Sequence, residues 1–191
     1  MHNKPNIYYF INNFNSDEIK NLNNNISLIY RNYNDKLDLN IIKKIRSVCI
    51  KQKRKFYISN NLKVAQNLKL DGVYIPSFNT LPNLKNLTTL KKFKIIGSAH
   101  NKIQLIKKQK QGCTEVFISP IFKSQKSKFF LDITKFNLIS NFSDVKIIAL
   151  GGINLTNVSK LRSTLCSGFA GISWIKKTGL KTIRPVSKFL Y

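Results

Sequence analysis

Acidic residues are scarce in this chain. Eight Asp and Glu stand against 33 Lys and Arg in 191 residues, a formal charge of +25. That excess brings anionic partners into consideration, either nucleic acid or phosphorylated metabolites. Its make-up argues against a dedicated nucleic-acid surface: 28 of the basic residues are Lys, spread from Lys4 to Lys188 and accompanied by 23 Asn, which marks a bias of the whole composition. The chain also lacks an aromatic-basic segment of the K/R-G-F-G-F type. Nucleic acid therefore ranks last among partners. Cysteine is equally sparse. Cys49, Cys113 and Cys166 are odd in number and far apart, without the C-x-x-C spacing of zinc or dithiol sites, and are expected to be reduced core residues of a cytoplasmic protein. Long apolar runs are missing too. The patch from Ile7 to Ile11 stops at Asn12 and Asn13, too brief for a signal segment. Nothing approaches the roughly 18 apolar residues of a membrane span. No linker, low-complexity tract or second domain stands out, so residues 1–191 read as one domain, long enough to bury a core without disulfides.

Present instead are short apolar runs rich in Ile, Val, Phe and Tyr, alternating with segments of helical period. Eight runs have strand character: 6–11, 26–31, 55–59, 72–76, 94–98, 115–119, 145–150 and 168–173. Between them, residues 38–53 place Leu39, Ile42, Ile45, Val48 and Cys49 on one helical face with Asp38 as N-cap. Residues 101–110 and 154–165 each open a helix with Asn, and the Asn-rich link 16–24 holds a shorter one. Eight strand–helix repeats predict an α/β fold, a single compact (β/α)8 TIM barrel with short loops, since the length falls just below the ~200 residues of small barrels. A doubly wound open sheet is the competitor, disfavoured because no G-x-G-x-x-G follows the first strand.

In such a barrel the reacting groups sit at the C-terminal strand ends. These positions are Arg31, Ser59 with Asn60, Ser77 with Asn79, Ser98 with His100, Ser119, the loop 123–128, Gly151 with Gly152, and Ser173. The set is small, polar and almost free of carboxylates. Asp71, Glu115 and Asp144 precede strands and are expected at the opposite end. In IIALGGIN (147–154), Gly151 and Gly152 permit close backbone approach, and the helix expected from Asn154 adds free N–H groups and a dipole favouring an anion. With GFAGIS (168–173) alongside, the two turns make a phosphate site; the alternative is a plain tight turn. His100 is the best chemical group, suited to proton transfer near neutrality, with helix capping as its competing role.

Several segments together resemble the thiamine phosphate synthase and TenI-like family. They are ALGGIN with NV at 157–158, SGFAGISWI, KIIGSAHN for a G-x-S-x-H strand, EVFISPIFKSQKSK for G-P-x-F-x-T-x-x-K, and ISNNLKVAQNLKLDGVYIPS for N-D-x-x-x-x-A and D-G-V-H-x-G-Q. The likeness runs in register over about residues 26–177. It implies a small phosphorylated thiazole or pyrimidine as ligand. It also implies Gly151, Gly152, Gly171, Ile172 and Ser173 as phosphate-binding residues, and Arg31, Asn60, Asn79, Ser119, Ser124 and either Lys126 or Lys128 as substrate-binding ones. His100 with Ser98 would be catalytic. Departures are equally informative. The synthase's two magnesium-binding aspartates fall at Asn60 and Asn79, and its Gln and Lys beside Arg31 fall at Ile29 and Tyr33. Magnesium in phosphate sites takes carboxylates plus phosphate oxygens, so no metal ligand is assigned, and Mg2+ enters only if synthase activity is retained. The leading expectation is a thiazole tautomerase using His100. The alternatives are a divergent synthase, with magnesium held by pyrophosphate, Asn60, Asn79 and a loop acid, and a non-catalytic phosphate-ligand binder.

Overall fold

The structure, a computed structural model, describes residues 5–33, 37–80, 84, 93–124 and 127–178. All eight expected strands form: β1 Asn6–Ile11, β2 Ile26–Tyr30, β3 Phe56–Ser59, β4 Gly72–Ile75, β5 Lys94–Ala99, β6 Glu115–Ile118, β7 Lys146–Leu150 and β8 Gly168–Gly171. Each pairs in parallel with the next, and β8 returns to β1 through Asn6↔Gly168 to Tyr9↔Gly171, closing the barrel. The described helices on the outside are α1 Ser16–Asn21, α2 Leu39–Lys51, α3 Leu62–Asn67, α4 Lys102–Lys110, α5 Asp132–Ser140 and α6 Ser173–Thr178, with a 3-10 helix at Val158–Ser163.

The continuous apolar runs make sense in a sheet covered on both faces. Along β1, Tyr8 and Phe10 point into the barrel while Ile7, Tyr9 and Ile11 join the layer beneath the helices. The interior is unusually aromatic for a fold whose lumen branched aliphatic residues normally fill. Tyr8 meets Phe117 edge-on at 5.2 Å, and Phe10 meets Tyr74 at 5.3 Å and Phe117 at 5.6 Å. Burial raises the phenol pKa values of Tyr8 and Tyr57 and pushes that of Tyr74 up to about 12.

The carboxylates that precede strands lie at the barrel's N-terminal end. Asp71 accepts from the Phe56 N–H at 2.9 Å, Asp144 accepts from Gln109, and buried Glu115 binds Lys94, Tyr8 and Asn6. Asp38 caps α2 through the N–H groups of Asn40 and Ile41, and Asn15 caps α1 through those of Asp17 and Glu18. Ile42, Ile45 and Cys49 form the buried stripe of α2. Leu39, expected on that stripe, is 47% exposed because it lies in the first turn, before the helix reaches the sheet. Cys49 and Cys113 are buried, Cys166 is partly so, and all three are free thiols.

Two boundaries differ from expectation. The run 168–173 leaves the sheet after Gly171, and the Ile172 carbonyl accepts from Lys176 N–H as the first turn of α6 begins. The stretch 154–165 is not an α-helix. Asn side chains compete with the backbone there: Asn157 Oδ1 takes the Asn154 N–H, and Asn154 Oδ1 takes the Thr156 N–H, both at 2.9 Å. The remaining residues form the 3-10 helix, whose three-residue period keeps both Val158 and Leu161 inward.

Arg54, without any signal in its local pattern, proves to be a buried clasp. Its guanidinium donates to the carbonyls of Ile26 at 2.6 Å, Asn23 at 2.8 Å, Leu22 at 3.0 Å and Ile19 at 3.4 Å, tying the end of α1 to the start of β2. Removing it strands several carbonyls out of reach of water. The substitution Arg54→Ala is expected to lower unfolding free energy by about 3 kcal/mol, measured by urea denaturation. A change below about 1 kcal/mol would show that water replaces the clasp.

Candidate functional site

The C-terminal strand ends gather the expected residues into neighbouring groups. At the β5–β6 side, Asn101 caps α4 by accepting from Gln104 N–H at 2.9 Å, and Gln104 Oε1 accepts from His100 N–H at 2.8 Å. The cap is therefore Asn101, and His100 is left with a side chain free of that duty. Its Nδ1 lies 2.8 Å from the Ser119 carbonyl and 3.3 Å from Ser119 Oγ. A carbonyl can only accept, so that contact puts the imidazole proton on Nδ1 and leaves the lone pair on Nε2. Ser98 lies deeper. Its hydroxyl is buried and accepts from Tyr74 OH at 3.0 Å, and among the described residues no hydrogen bond joins it to His100.

At the β2–β4 side, Arg31 follows β2 with its guanidinium 5.1 Å from the centre of the Phe10 ring. Tyr33 OH and Ser59 Oγ are hydrogen-bonded at 2.9 Å, and burial of the phenol raises its pKa. Asn60 adopts a left-handed φ of 56° at the end of β3, which a short amide side chain tolerates. Its Oδ1 accepts from Asn79 Nδ2. The two positions where magnesium carboxylates would stand thus hold neutral amides bonded to each other. Among the described residues no group of three or more His, Cys, Asp or Glu could hold a metal. This donor set does not fit a resident magnesium ion.

The loop carrying Asn79 is held from beneath by Lys108. This buried ammonium donates to Pro76 O at 2.7 Å, Asn79 O at 2.8 Å and Gln111 Oε1 at 2.9 Å, and burial lowers its pKa. It reaches them past Gly97, where a Cβ would sit 3.1 Å from the Lys108 stem and 2.8 Å from Cys113 Sγ. The glycine of the G-x-S-x-H strand is therefore a passage for lysine. Sequence reasoning missed Lys108, since one lysine in a lysine-rich helix carries no signal. The Asn101-x-x-Gln104 spacing of a capping motif was visible.

After β7, Gly151 and Gly152 have φ of 93° and 73°. A Cβ on Gly152 would lie 2.2 Å from Phe122 O, and one on Gly151 2.8 Å from Pro120 Cβ. The glycines thus admit the β6 loop, whose Ile121 and Phe122 N–H groups donate to the Leu150 and Gly151 carbonyls. The helix dipole expected from Asn154 is absent, and the Asn154 and Thr156 N–H groups are already bonded. The backbone turn itself and the stretch Gly171, Ile172, Ser173 remain, the last two exposed. Ser124 stands on the β6 loop in a bridge with Ser127, Lys128 is exposed, and Lys126 lies outside the described residues.

With this geometry in place, the comparisons are informative. A family profile described as Thiamine monophosphate synthase matches residues 22–175. The chain belongs to that family. Within the thiamine monophosphate synthase family, a thiamine-phosphate synthase of Prochlorococcus marinus subsp. pastoris is 30% identical over 151 residues, covering 75% of this chain and 42% of that protein. One from Pelagibacter ubique is 32% identical over 123 residues, covering 62% of this chain and 58% of that protein. The chain spans about half the length of these two relatives. Among solved structures, a thiamine phosphate pyrophosphorylase from Pyrococcus furiosus superposes with a TM-score of 0.73 at 17% identity, over 97% of this chain and 93% of that one. At that identity the match speaks for the barrel fold.

The two glycine turns differ in tolerance. Gly152→Ala meets backbone at a positive φ and is expected to cost roughly 2 kcal/mol or more. For Gly171→Ala the new Cβ meets only side-chain carbons of Ile175, at 3.2 Å, and the cost should be about 1 kcal/mol. Thermal or urea unfolding of the two variants checks the order, and equal losses would count against the Phe122 contact as the reason for glycine.

Proposed function

We propose that this member of the thiamine monophosphate synthase family acts in thiamine biosynthesis as a TenI-like thiazole tautomerase. The thiazole phosphate rests on the backbone turns at Gly151–Gly152 and Gly171–Ser173, and His100 moves the ring proton. The observation that carries the reading is the pairing of His100 Nδ1 with the Ser119 carbonyl. It fixes the tautomer whose Nε2 accepts a proton, at a strand end where barrels do their chemistry. In the reaction Nε2 takes a proton from one ring position as the electron pair moves into the conjugated system. The resulting imidazolium returns a proton at a second position, so no net oxidant or co-reactant is needed. Ser119 orients the ring, and Arg31, Ser124 and Lys128 supply polar contacts at the rim. Ser98 acts from below, through its bond to Tyr74.

The relatives' names favour a second reading, synthase activity. The Asn60–Asn79 pair speaks against it, because two amides bring no negative charge to a metal. One set of assays separates the readings. The full chain is incubated with a thiazole carboxylate phosphate tautomer, and separately with thiazole phosphate plus pyrimidine pyrophosphate, each with and without EDTA. Tautomerisation indifferent to EDTA is expected, and His100→Ala should reduce it by about 10²- to 10⁴-fold while phosphate-ligand binding persists. Unchanged turnover in His100→Ala removes His100 from the mechanism. Coupled product that EDTA stops establishes the synthase reading, and binding without turnover in either assay leaves a phosphate-ligand binder.

A further inference from the structure

At the floor of the barrel, the end away from His100 and the glycine turns, a cavity of about 460 Å³ opens between the turn after α5 and the loop before β8. Asn141, Asp144, Lys146, Leu165 and Ser167 are among the residues that line it. Asn137 fastens the loop to α5, its Nδ2 donating to Ser163 O at 2.8 Å and its Oδ1 accepting from Leu165 N–H at 3.0 Å. Leu165 is thereby held at the rim, 54% exposed. Phe142 stands between the lining residues Asn141 and Ser143, and Leu138 lies one helical turn before it; they are 49% and 58% exposed. Three large apolar side chains around one cavity differ from the scattered exposed ones of any surface. The ammonium groups beside them lack carboxylates. Lys146 lines the cavity, and Lys102 sets its Nζ 3.3 Å from the centre of the Phe142 ring. Among the described residues neither lysine is in an ion pair, since the pairs there are Lys94 with Glu115 and Lys176 with Glu18. Asp144, the carboxylate of the lining, already accepts from Gln109.

We infer that the floor is a docking surface for another protein, taking an acidic segment that inserts an aliphatic side chain among Leu138, Phe142 and Leu165 and sets its carboxylates on Lys102 and Lys146. The apolar anchor supplies the affinity, and the lysines steer the approach and select its sign. A second copy of this chain is the poorer occupant. It would bring a charge of +25 against +25, with eight acidic residues in its whole length to answer the lysines. The surface lies at the other end of the barrel from His100, so it does not depend on the tautomerase reading.

The probe is a fluorescein-labelled glutamate-rich peptide with leucine as its anchor, titrated with the full chain at about 0.15 M salt, where distant charges are screened, and followed by fluorescence anisotropy. A peptide of equal charge with serine for leucine is the counter-probe. Saturable binding of the leucine peptide is expected, with the serine peptide weaker by about ten- to a hundredfold, the scale of burying one such side chain. The double variant Leu138→Ser/Leu165→Ser should lose binding by a similar factor, whereas Leu165→Met, which keeps an apolar rim, should retain it. Lys146→Gln should weaken binding a few-fold and flatten its dependence on salt. Circular dichroism checks that these surface variants fold. Equal affinity for the two peptides would show that charge alone is at work, and equal affinity in the double variant would place the contact elsewhere; either result overturns the inference, as does absence of binding. So does a dimer of the unaltered chain, seen by sedimentation velocity, that the double variant dissolves, because the occupant is then a second copy. His100→Ala should bind the peptide unchanged, so failure of the tautomerase reading and failure of this one give different results.

Discussion

Everything at the mouth depends on the pairing of β8 with β1. Strands of only four to six residues make a weak open sheet. Closing it removes both edges and lets every strand bury two faces. Closure also decides which residues can meet. It puts the β7 and β8 turns on one side and the ends of β3 and β4 on the other, with His100 and Ser119 on the arc between them. The glycines at strand starts belong to the same constraint. A Cβ on Gly168 would lie 2.0 Å from Asn6 O, and one on Gly72 1.9 Å from Lys94 O. These are contacts across the β8–β1 and β4–β5 seams, so the backbone must be bare there for the strands to approach.

A second consequence concerns charge. The chain has abundant cations, yet two of its structurally decisive ones meet no carboxylate. Arg54 and Lys108 are both buried and satisfied mainly by carbonyl oxygens. A buried cation is costly unless every donor is used, and here the geometry uses them on loops that would otherwise leave carbonyls bare. Each therefore fixes a turn. Arg54 does so at the N-terminal end of the barrel, and Lys108 does so beneath the mouth. In a chain with eight acidic residues, carbonyls take the place that carboxylates hold elsewhere. Among the described residues the ion pair to a buried carboxylate, Lys94 with Glu115, lies at the barrel floor, where Tyr8 and Asn6 complete the glutamate's hydrogen bonds.

What could be read in advance was what depends on local pattern. Eight strands, the cap at Asp38 and the helix after Asn101 follow from periodicity and short-range hydrogen bonding, and the structure reproduces them. The stretch after Gly152 misled because Val158 and Leu161 satisfy a helical and a 3-10 spacing alike. The deciding bonds are local ones, in which the Asn154 and Asn157 side chains take backbone groups that an α-helix would have used. Lys108, Arg54 and the Tyr33–Ser59 bond were illegible for another reason. Their long-range partners lie 26 to 35 residues away, and nothing in the surrounding composition separates them from ordinary surface residues.

The turn after β7 is shaped by asparagine side chains. With the N–H groups of Asn154 and Thr156 committed to side chains, the region after β7 offers backbone from the glycine turn rather than a helix dipole. Gly152 O is itself taken by Asn157 Nδ2 at 2.8 Å, which holds that carbonyl within the turn. The paired glycines thus serve two demands at once. They make room for the Phe122 carbonyl of the neighbouring loop, and they present a turn whose polarity is set by asparagine rather than by an α-helix.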